Sequence, residues 1–432
     1  MIKHLSSSAA ATLTVLALTA IGGIVSARYL LPIGKGELTA VLLWPTLLVT
    51  LGSLGLIEAV TYYSATAPER SRAILSSALA LAFAASAVLV VVGYVLLPVL
   101  LPHYGAATVQ TARWFLLYVP VSLASVLMMA ALQGNMRIGT YNILRTMVQV
   151  LTVAGLLLAV AAGRATVRGF ALATLGANLI AFAAASLVVV KARWIGSPFS
   201  AGTARPLLRF GLQSQLGSLA SVLNLRLDQM LMSALMSASS LGIYVVGVTI
   251  AGVAALAPTA IIIVAAPTIS SQADMAAKLR AWGRLIRLSA VLQLAVASLL
   301  WIAAPYIVRF GFGASFDGST RVARILIIAS LPLGTNMLLA IGFRAFNRPL
   351  TPSAAEIVSL GATAMGLLLL LRRLGPEGAA WASLAAYSVT CTFLFSRVKT
   401  QLGIAPRQLL APRRRDWLDA RAMLLRRAPE NA

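Results

Sequence analysis

Cysteine, histidine and acidic residues are all scarce in this sequence, and each scarcity closes a line of chemistry. The one cysteine, Cys391, lies in an apolar run, so neither a disulfide framework nor a cysteine-cluster metal site is available. The two histidines, His4 and His103, sit far apart near the ends of apolar runs, which excludes a histidine-based metal site or triad. Asp and Glu number 11 against 35 Lys and Arg, and charged residues of both signs make up only 11% of the chain. A soluble domain carries about 25% charged and roughly 45–50% apolar residues. Here 59% of the residues are hydrophobic and the mean hydropathy is +0.90, so the solvent of this chain is lipid. No phosphate-binding loop is present, because "PIGKGE" lacks both the first glycine and the Ser or Thr that a G-x-x-x-x-G-K-[ST] motif requires. The loops are short, the longest outer one covering about 309–321, and no soluble region is large enough to hold a reaction centre. The expectation is a protein that is not an enzyme and needs no cofactor or metal.

What is present is a series of long apolar runs. A bilayer core of ~30 Å takes about 20 helical residues to cross, and on that scale the sequence divides into twelve candidate spans. They lie near 9–30, 38–63, 74–97, 112–132, 143–162, 168–190, 210–236, 241–268, 289–310, 323–343, 352–371 and 377–396. The first run follows Lys3 and His4 and lacks a small-residue cleavage pattern, so it reads as a retained span rather than a signal peptide. Pro45, Pro120, Pro258, Pro267 and Pro332 fall within spans, where they predict packing kinks.

The net charge of +24 lies mostly between the runs, where anionic headgroups and orientation signals explain it without nucleic acid as a partner. Counted on alternate sides, 24 basic residues fall on one side and 10 on the other, with Arg226 inside a span. The positive-inside rule then places both termini in the cytoplasm, as an even number of spans requires. The tail segment "RRRDWLDARAMLLRR" places Trp417, Ala420 and Leu424 on one apolar face, which predicts a short interfacial helix.

The longest internal cytoplasmic segment, "KARWIGSPFSAGTARPLLRF", divides the spans into six and six. The halves echo each other. Gly36 in "PIGKGELTAVLLWPTLLVT" aligns with Gly242 in "SASSLGIYVVGVTIAGVAA", and "GRATVRGFALATLGANLIA" aligns with "RRLGPEGAAWASLAAYSVT", at offsets of 206 and 209 residues. Two echoes at nearly one offset indicate a duplicated six-helix unit whose copies enter from the same side. The expected organisation is a lobe at 1–195, a linker at 196–209, a second lobe at 210–398 and a basic tail at 399–432.

Few polar side chains interrupt the spans, and at membrane depth each is a candidate for function. In "SVLNLRLDQMLMSALM", Asn224 and Asp228 are four residues apart and share a helical face, while Arg226 and Asp228 are about 200° apart on a continuous helix. Three readings of Arg226 stand: a structural pair with an acid on another helix, a cationic site facing substrate, or a side chain reaching the outer headgroups. Glu58 and Glu356 lie near span ends, either as interfacial residues or as gating and coupling groups. Gln213 opens span seven close to the linker, and Arg28 ends span one beside Tyr29, as an interfacial anchor or a cavity residue.

Three stretches carry a resemblance: "ARYLLPIGKGELTAVLLWPTLLVTLGSLGLIEAVTYY", "LQGNMRIGTYNILR" and "LLRFGLQSQLGSLASVLNLRLDQMLMSALMSASSLGIYVVGV". They resemble the polysaccharide transporter and oligosaccharide flippase family, within the superfamily that also holds multidrug and toxin extrusion transporters and the lipid II flippase. The resemblance implies an all-α polytopic membrane protein with twelve transmembrane helices in two pseudo-symmetric six-helix bundles around a central cationic cavity. It implies an undecaprenyl-pyrophosphate-linked oligosaccharide as substrate, flipped by alternating access across a bacterial inner membrane. Membrane lipids are implied partners, and so are the polysaccharide polymerase and chain-length machinery. Arg226, Asp228 and Gln229 match the family's R-L-D-Q pattern and Arg28 its R-x-L-x-P pattern, which gives Arg226 a cavity-lining role by resemblance. The alternatives are a cation-coupled multidrug exporter, a lipid II-type flippase, or a scaffold in a polysaccharide-assembly complex. The sign of charge on the cavity lining separates the first two classes.

Overall fold

A computed structural model describes residues 2–272 and 274–410, and among these every regular element is helical. The tail helix expected around Trp417 lies outside the described residues. The chain begins with α1 (Ile2–Gly52), which is broken at Leu31, where the backbone turns left-handed at φ 58° just before Pro32. After α2 (Leu56–Thr66) come α3 (Ser71–Leu100), α4 (Ala106–Phe115) and α5 (Tyr118–Gly134). Next are α6 (Ile138–Ala161), α7 (Val167–Lys191), α8 (Ala201–Asn224) and α9 (Leu227–Leu235). Then follow α10 (Ala238–Ala254), α11 (Leu256–Ser270) and α12 (Met275–Tyr306), which runs into a π-helical turn at Ile307–Phe312. The last three are α13 (Ser319–Ala345), α14 (Leu350–Leu402), broken at Gly375, and α15 (Pro406–Leu410).

Among the described residues, eight helical stretches are long and apolar enough to cross a bilayer, or nine if α10 and the start of α11, bent by 42°, count as one span. The breaks at Leu31 and Gly375 fall inside stretches of 43 and 53 residues, each long enough for two crossings. The twelve expected spans are consistent with this arrangement. Two expectations need correction. The second run is not one helix: it breaks at Ser53–Gly55, with Leu54 and Gly55 both at positive φ. Span seven breaks between Asn224 and Leu227. Within the 196–209 segment the chain is helical from Ala201 onward, and 192–200 is irregular.

The helices show on which side lipid lies. Along α7, Ala177, Ala181, Ala185 and Val189 recur every four residues and are buried, while Leu172, Leu179, Leu187 and Val190 are exposed. Small residues face inward and large apolar ones outward, which is the pattern of helices that pack closely and turn their bulk to acyl chains. The second half of α14 repeats it, with Ala379, Ser383, Ala386 and Thr390 buried and Trp381 and Val389 exposed. This is a multi-pass membrane protein.

The described residues form two compact units. The first takes the chain up to Leu219 together with Gln229–Val246 and Arg309–Phe316; the second takes Ala220–Asp228, Gly247–Val308 and the described residues from Asp317 onward. In the first unit, α1, α5, α6 and α7 pack on one another, and glycine allows the closest approaches. A Cβ on Gly36 would overlap the carbonyl of Ala238, and one on Gly242 would overlap the carbonyl of Pro32. The two glycines that echo each other in sequence are therefore neighbours in space. The core of the second unit gathers around Trp282, which is fully buried and donates from Nε1 to the Leu338 carbonyl at 3.0 Å. Arg287 on α12 donates to the Leu409 carbonyl at 3.0 Å and ties the short α15 to that core.

Candidate functional site

The interruption of span seven is the starting point. At the end of α8 the Leu225 amide still reaches the Ser221 carbonyl, but the Arg226 amide tightens onto Leu223 and the α-helical ladder stops. No proline or glycine lies there; Asn224 is a weak helix former whose side chain is engaged elsewhere. A new helix, α9, begins at Leu227 with Asp228 in its first turn, where the positive end of the helix dipole favours a carboxylate by about 0.3–1 kcal/mol. Irregular backbone at membrane depth persists only where protein or a water-lined cavity satisfies its polar groups.

At this break the Asn224 side chain ties the chain to the neighbouring helix. Its amide nitrogen donates to Ser359 Oγ at 2.7 Å, and its amide oxygen accepts from Thr363 Oγ1 at 2.8 Å. Both partners sit on α14 four residues apart, on the stripe Ala355, Ser359, Thr363, Leu367 and Leu371 that this helix buries. Ser359 is 1% and Thr363 2% exposed, so the bridge is shielded from solvent. Glu356, half-buried one turn before Ser359, hydrogen-bonds with Asn224 and with Ser221. Tyr387, on the second half of α14, lies within electrostatic reach of both Asp228 and Glu356. Asn336 on α13 holds it in place by donating to the Tyr387 carbonyl at 2.9 Å.

The second unit thus brings together three of the sequence candidates, Asn224, Asp228 and Glu356, with Ser221, Ser359, Thr363 and Tyr387. Among the described residues no group of three or more His, Cys, Asp or Glu is placed to hold a metal ion. The donors here are instead carboxylate, hydroxyl and amide oxygens among apolar helices. Hard oxygen sets of this kind suit a proton or a hard cation rather than a soft transition metal.

The remaining candidates lie elsewhere. Arg226 is exposed at the helix break, and because the helix is interrupted there, the 200° separation from Asp228 no longer describes it. Arg28, in the first unit, donates from Nε to the Gly311 carbonyl at 2.7 Å and from Nη2 to the Phe310 carbonyl. It caps the π-helical turn. Glu58 is exposed in the first turn of α2. Gln213 is exposed as well, and its neighbour Gln215 makes the structural contact, donating to the Thr50 carbonyl at 3.0 Å beside the Ser53–Gly55 break. Ser359, Thr363 and Tyr387 were not singled out from the sequence, although Glu356, Ser359 and Thr363 at i, i+3 and i+7 share a helical face. Lys35 is buried and donates to Ser26 Oγ at 2.7 Å across the Leu31 break.

Residues 2–273 match the model of a family described as "Polysaccharide biosynthesis protein". Among curated proteins no sequence matches the chain. Among solved structures, the chain is similar to lipid II flippase MurJ in an inward closed conformation, at 15% identity and TM-score 0.75, covering 96% of this chain and 91% of that one. It is also similar to an inward-facing multidrug resistance MATE family transporter of the MOP superfamily, at 16% identity and TM-score 0.69 over 90% and 94% of the two chains. A third likeness is to a MOP superfamily transporter from Pyrococcus furiosus described as having a binding pocket of reversed polarity, at 14% identity and TM-score 0.64 over 93% and 96%. At these identities the likenesses establish a shared fold.

Proposed function

Because the chain belongs to the polysaccharide biosynthesis protein family, we propose that it flips an undecaprenyl-pyrophosphate-linked oligosaccharide across the bacterial inner membrane by alternating access. The family match over residues 2–273 carries this reading, and the fold it shares with flippase and exporter structures supports it. Arg226, exposed where span seven breaks, offers its guanidinium to the pyrophosphate. The Asn224–Glu356 network takes up a proton or a hard cation and links that event to movement of the broken helix. The protein acts as a transporter and forms or cleaves no bond in its cargo.

The test is complementation of a flippase-deficient strain, paired with melting in detergent. Arg226→Ala should lose most transport at normal expression and melting temperature, while Arg226→Lys keeps part of it, because the charge remains although the planar fork is lost. Glu356→Gln should keep the fold and lose the response to an imposed cation gradient. A stable Arg226→Ala protein that fully restores surface polysaccharide removes the cationic role. A second reading, export of organic cations, draws on the fold shared with the multidrug transporter. It requires that purified protein in liposomes move a cationic dye and leave a lipid-linked saccharide in place.

A further inference from the structure

At the end of the first unit that holds the Leu31 break and the turns at 101–105 and 162–166, two cavities share a wall. One, of about 310 Å³, has Ala107, Trp114 and Val167 on its wall and carries the polar side chains of Glu37, Thr108, Gln110, Thr111, Thr166 and Arg168. The other, of about 260 Å³, is lined by Phe115, Ala171, Leu172 and Leu175 and meets the first at Thr111, Trp114 and Arg168. Trp114, 63% exposed, stands at the junction. Leu172 is half exposed on the bilayer-facing side of α7, so the apolar slot opens to lipid.

Two charged groups on the wall of the first cavity are not engaged by the fold. Among the described residues no hydrogen bond or ion pair occupies either Glu37 or Arg168, although both line one chamber. Behind that wall Tyr104, near Glu37 but not lining the cavity, is 8% exposed and its buried hydroxyl has no hydrogen-bond partner. Burial, and secondarily the Glu37 charge, holds that phenol above its usual range, so it remains a hydroxyl. Thr166 accepts from the Gly169 amide as the N-cap of α7, which leaves its hydroxyl proton to donate.

A chamber that presents one unengaged carboxylate and one unengaged guanidinium, continuous with an apolar slot, narrows the ligand. A sugar would leave the apolar slot unfilled. A lipid with a net negative head would meet Glu37, and an organic cation would meet Arg168. A choline head has no N–H to give to Glu37, whereas a primary ammonium has three. We propose that this composite pocket binds a phospholipid with a phosphoethanolamine head, its ammonium on Glu37, its phosphate on Arg168 and an acyl chain along Leu172 and Leu175. Trp114 marks the level of the headgroups, where such rings are enriched.

The inference is independent of what the protein transports, and so is its test. Full-length protein in mild detergent is titrated with dioleoyl phosphatidylethanolamine, phosphatidylcholine or phosphatidylglycerol and examined by native mass spectrometry. Phosphatidylethanolamine should be retained at about tenfold lower concentration than the other two. Glu37→Gln should erase that preference, Arg168→Ala should weaken all three lipids, and Leu172→Trp, which fills the slot, should weaken all three while keeping their order. Each replaced side chain is exposed or half-buried, and an unchanged melting temperature confirms the fold of each variant. Equal retention of the three lipids by the unmodified protein, or a preference that survives Glu37→Gln, overturns the proposal.

Discussion

At the scale of single residues, Asn224 has the heaviest duty, because it satisfies two hydroxyls that no solvent reaches. Removing it does not strand them entirely. Serine and threonine in helices fall back on the carbonyl four residues earlier, as Thr390 does with Ala386 at 2.8 Å. Asn224→Ala should therefore cost about 1–3 kcal/mol, the range for a buried partner lost from a network, and should lower the detergent melting temperature. Thr363→Val removes one arm only and should cost less. If Asn224→Ala melts with the unmodified protein, the bridge contributes nothing net. The same fallback explains what was legible. Asn224, Arg226 and Asp228 stand out in sequence because strongly polar groups in an apolar run have no self-contained solution. Ser359 and Thr363 do not stand out, since most hydroxyls in these helices are satisfied locally and carry no mark of the few that reach across.

At the scale of elements, Gly36 and Gly242, which echo each other in the sequence, lie against each other in the fold. Each glycine leaves room for the other's helix, so neither position accepts a Cβ without displacing backbone. Gly36→Ala and Gly242→Ala should each lower stability, and the double variant should cost less than the two added together, because the first displacement already opens the contact. Gly176 and Gly252 serve as controls: both are helical with open space around them, and alanine there should be neutral or stabilising by up to about 1 kcal/mol. Helix melting followed by circular dichroism separates the two pairs, and equal behaviour of all four would show that the close approach is not a constraint. Breaks were harder to read. Pro120 and Pro258 do mark them, each as the third residue of the helix that follows, where a missing amide costs little. Pro45 and Pro332 lie inside helical stretches that they do not interrupt. The interruptions at Leu54 and at Leu225–Arg226 have no proline, and tertiary hydrogen bonds such as those of Gln215 and Asn224 impose them.

At the scale of the whole molecule, the uneven spread of basic residues is the broadest signal in the sequence, and the first unit shows that it is spatial as well as numerical. Three turns that the alternating count places on one side do meet. Arg72 donates to the carbonyls of Ile195 and Gly196 at 3.2 and 3.0 Å, Arg137 lies over the Trp194 ring at 4.8 Å, and the Ser197 amide donates to Ser76 Oγ. Arg70, Arg72, Arg137, Lys191 and Arg193 therefore share one end of the unit. On the opposite end Arg113, which packs on Tyr94 at 4.2 Å, sits near the level of Arg164 and Arg168, and the basic density is lower. Because Lys and Arg near span ends resist translocation while acids contribute little, the richer end should be cytoplasmic. Reporter fusions after Arg70, Lys278 and Ala432 should all report cytoplasm, and fusions after His103 and Ala165 should report the outside. The position at Lys278 is the most demanding, since it depends on an even number of crossings between Arg70 and α12, including the broken ones at Asn224–Leu227 and Ala255. An external signal there, with Arg70 still internal, would mean that one of those broken stretches enters the membrane and returns without crossing it.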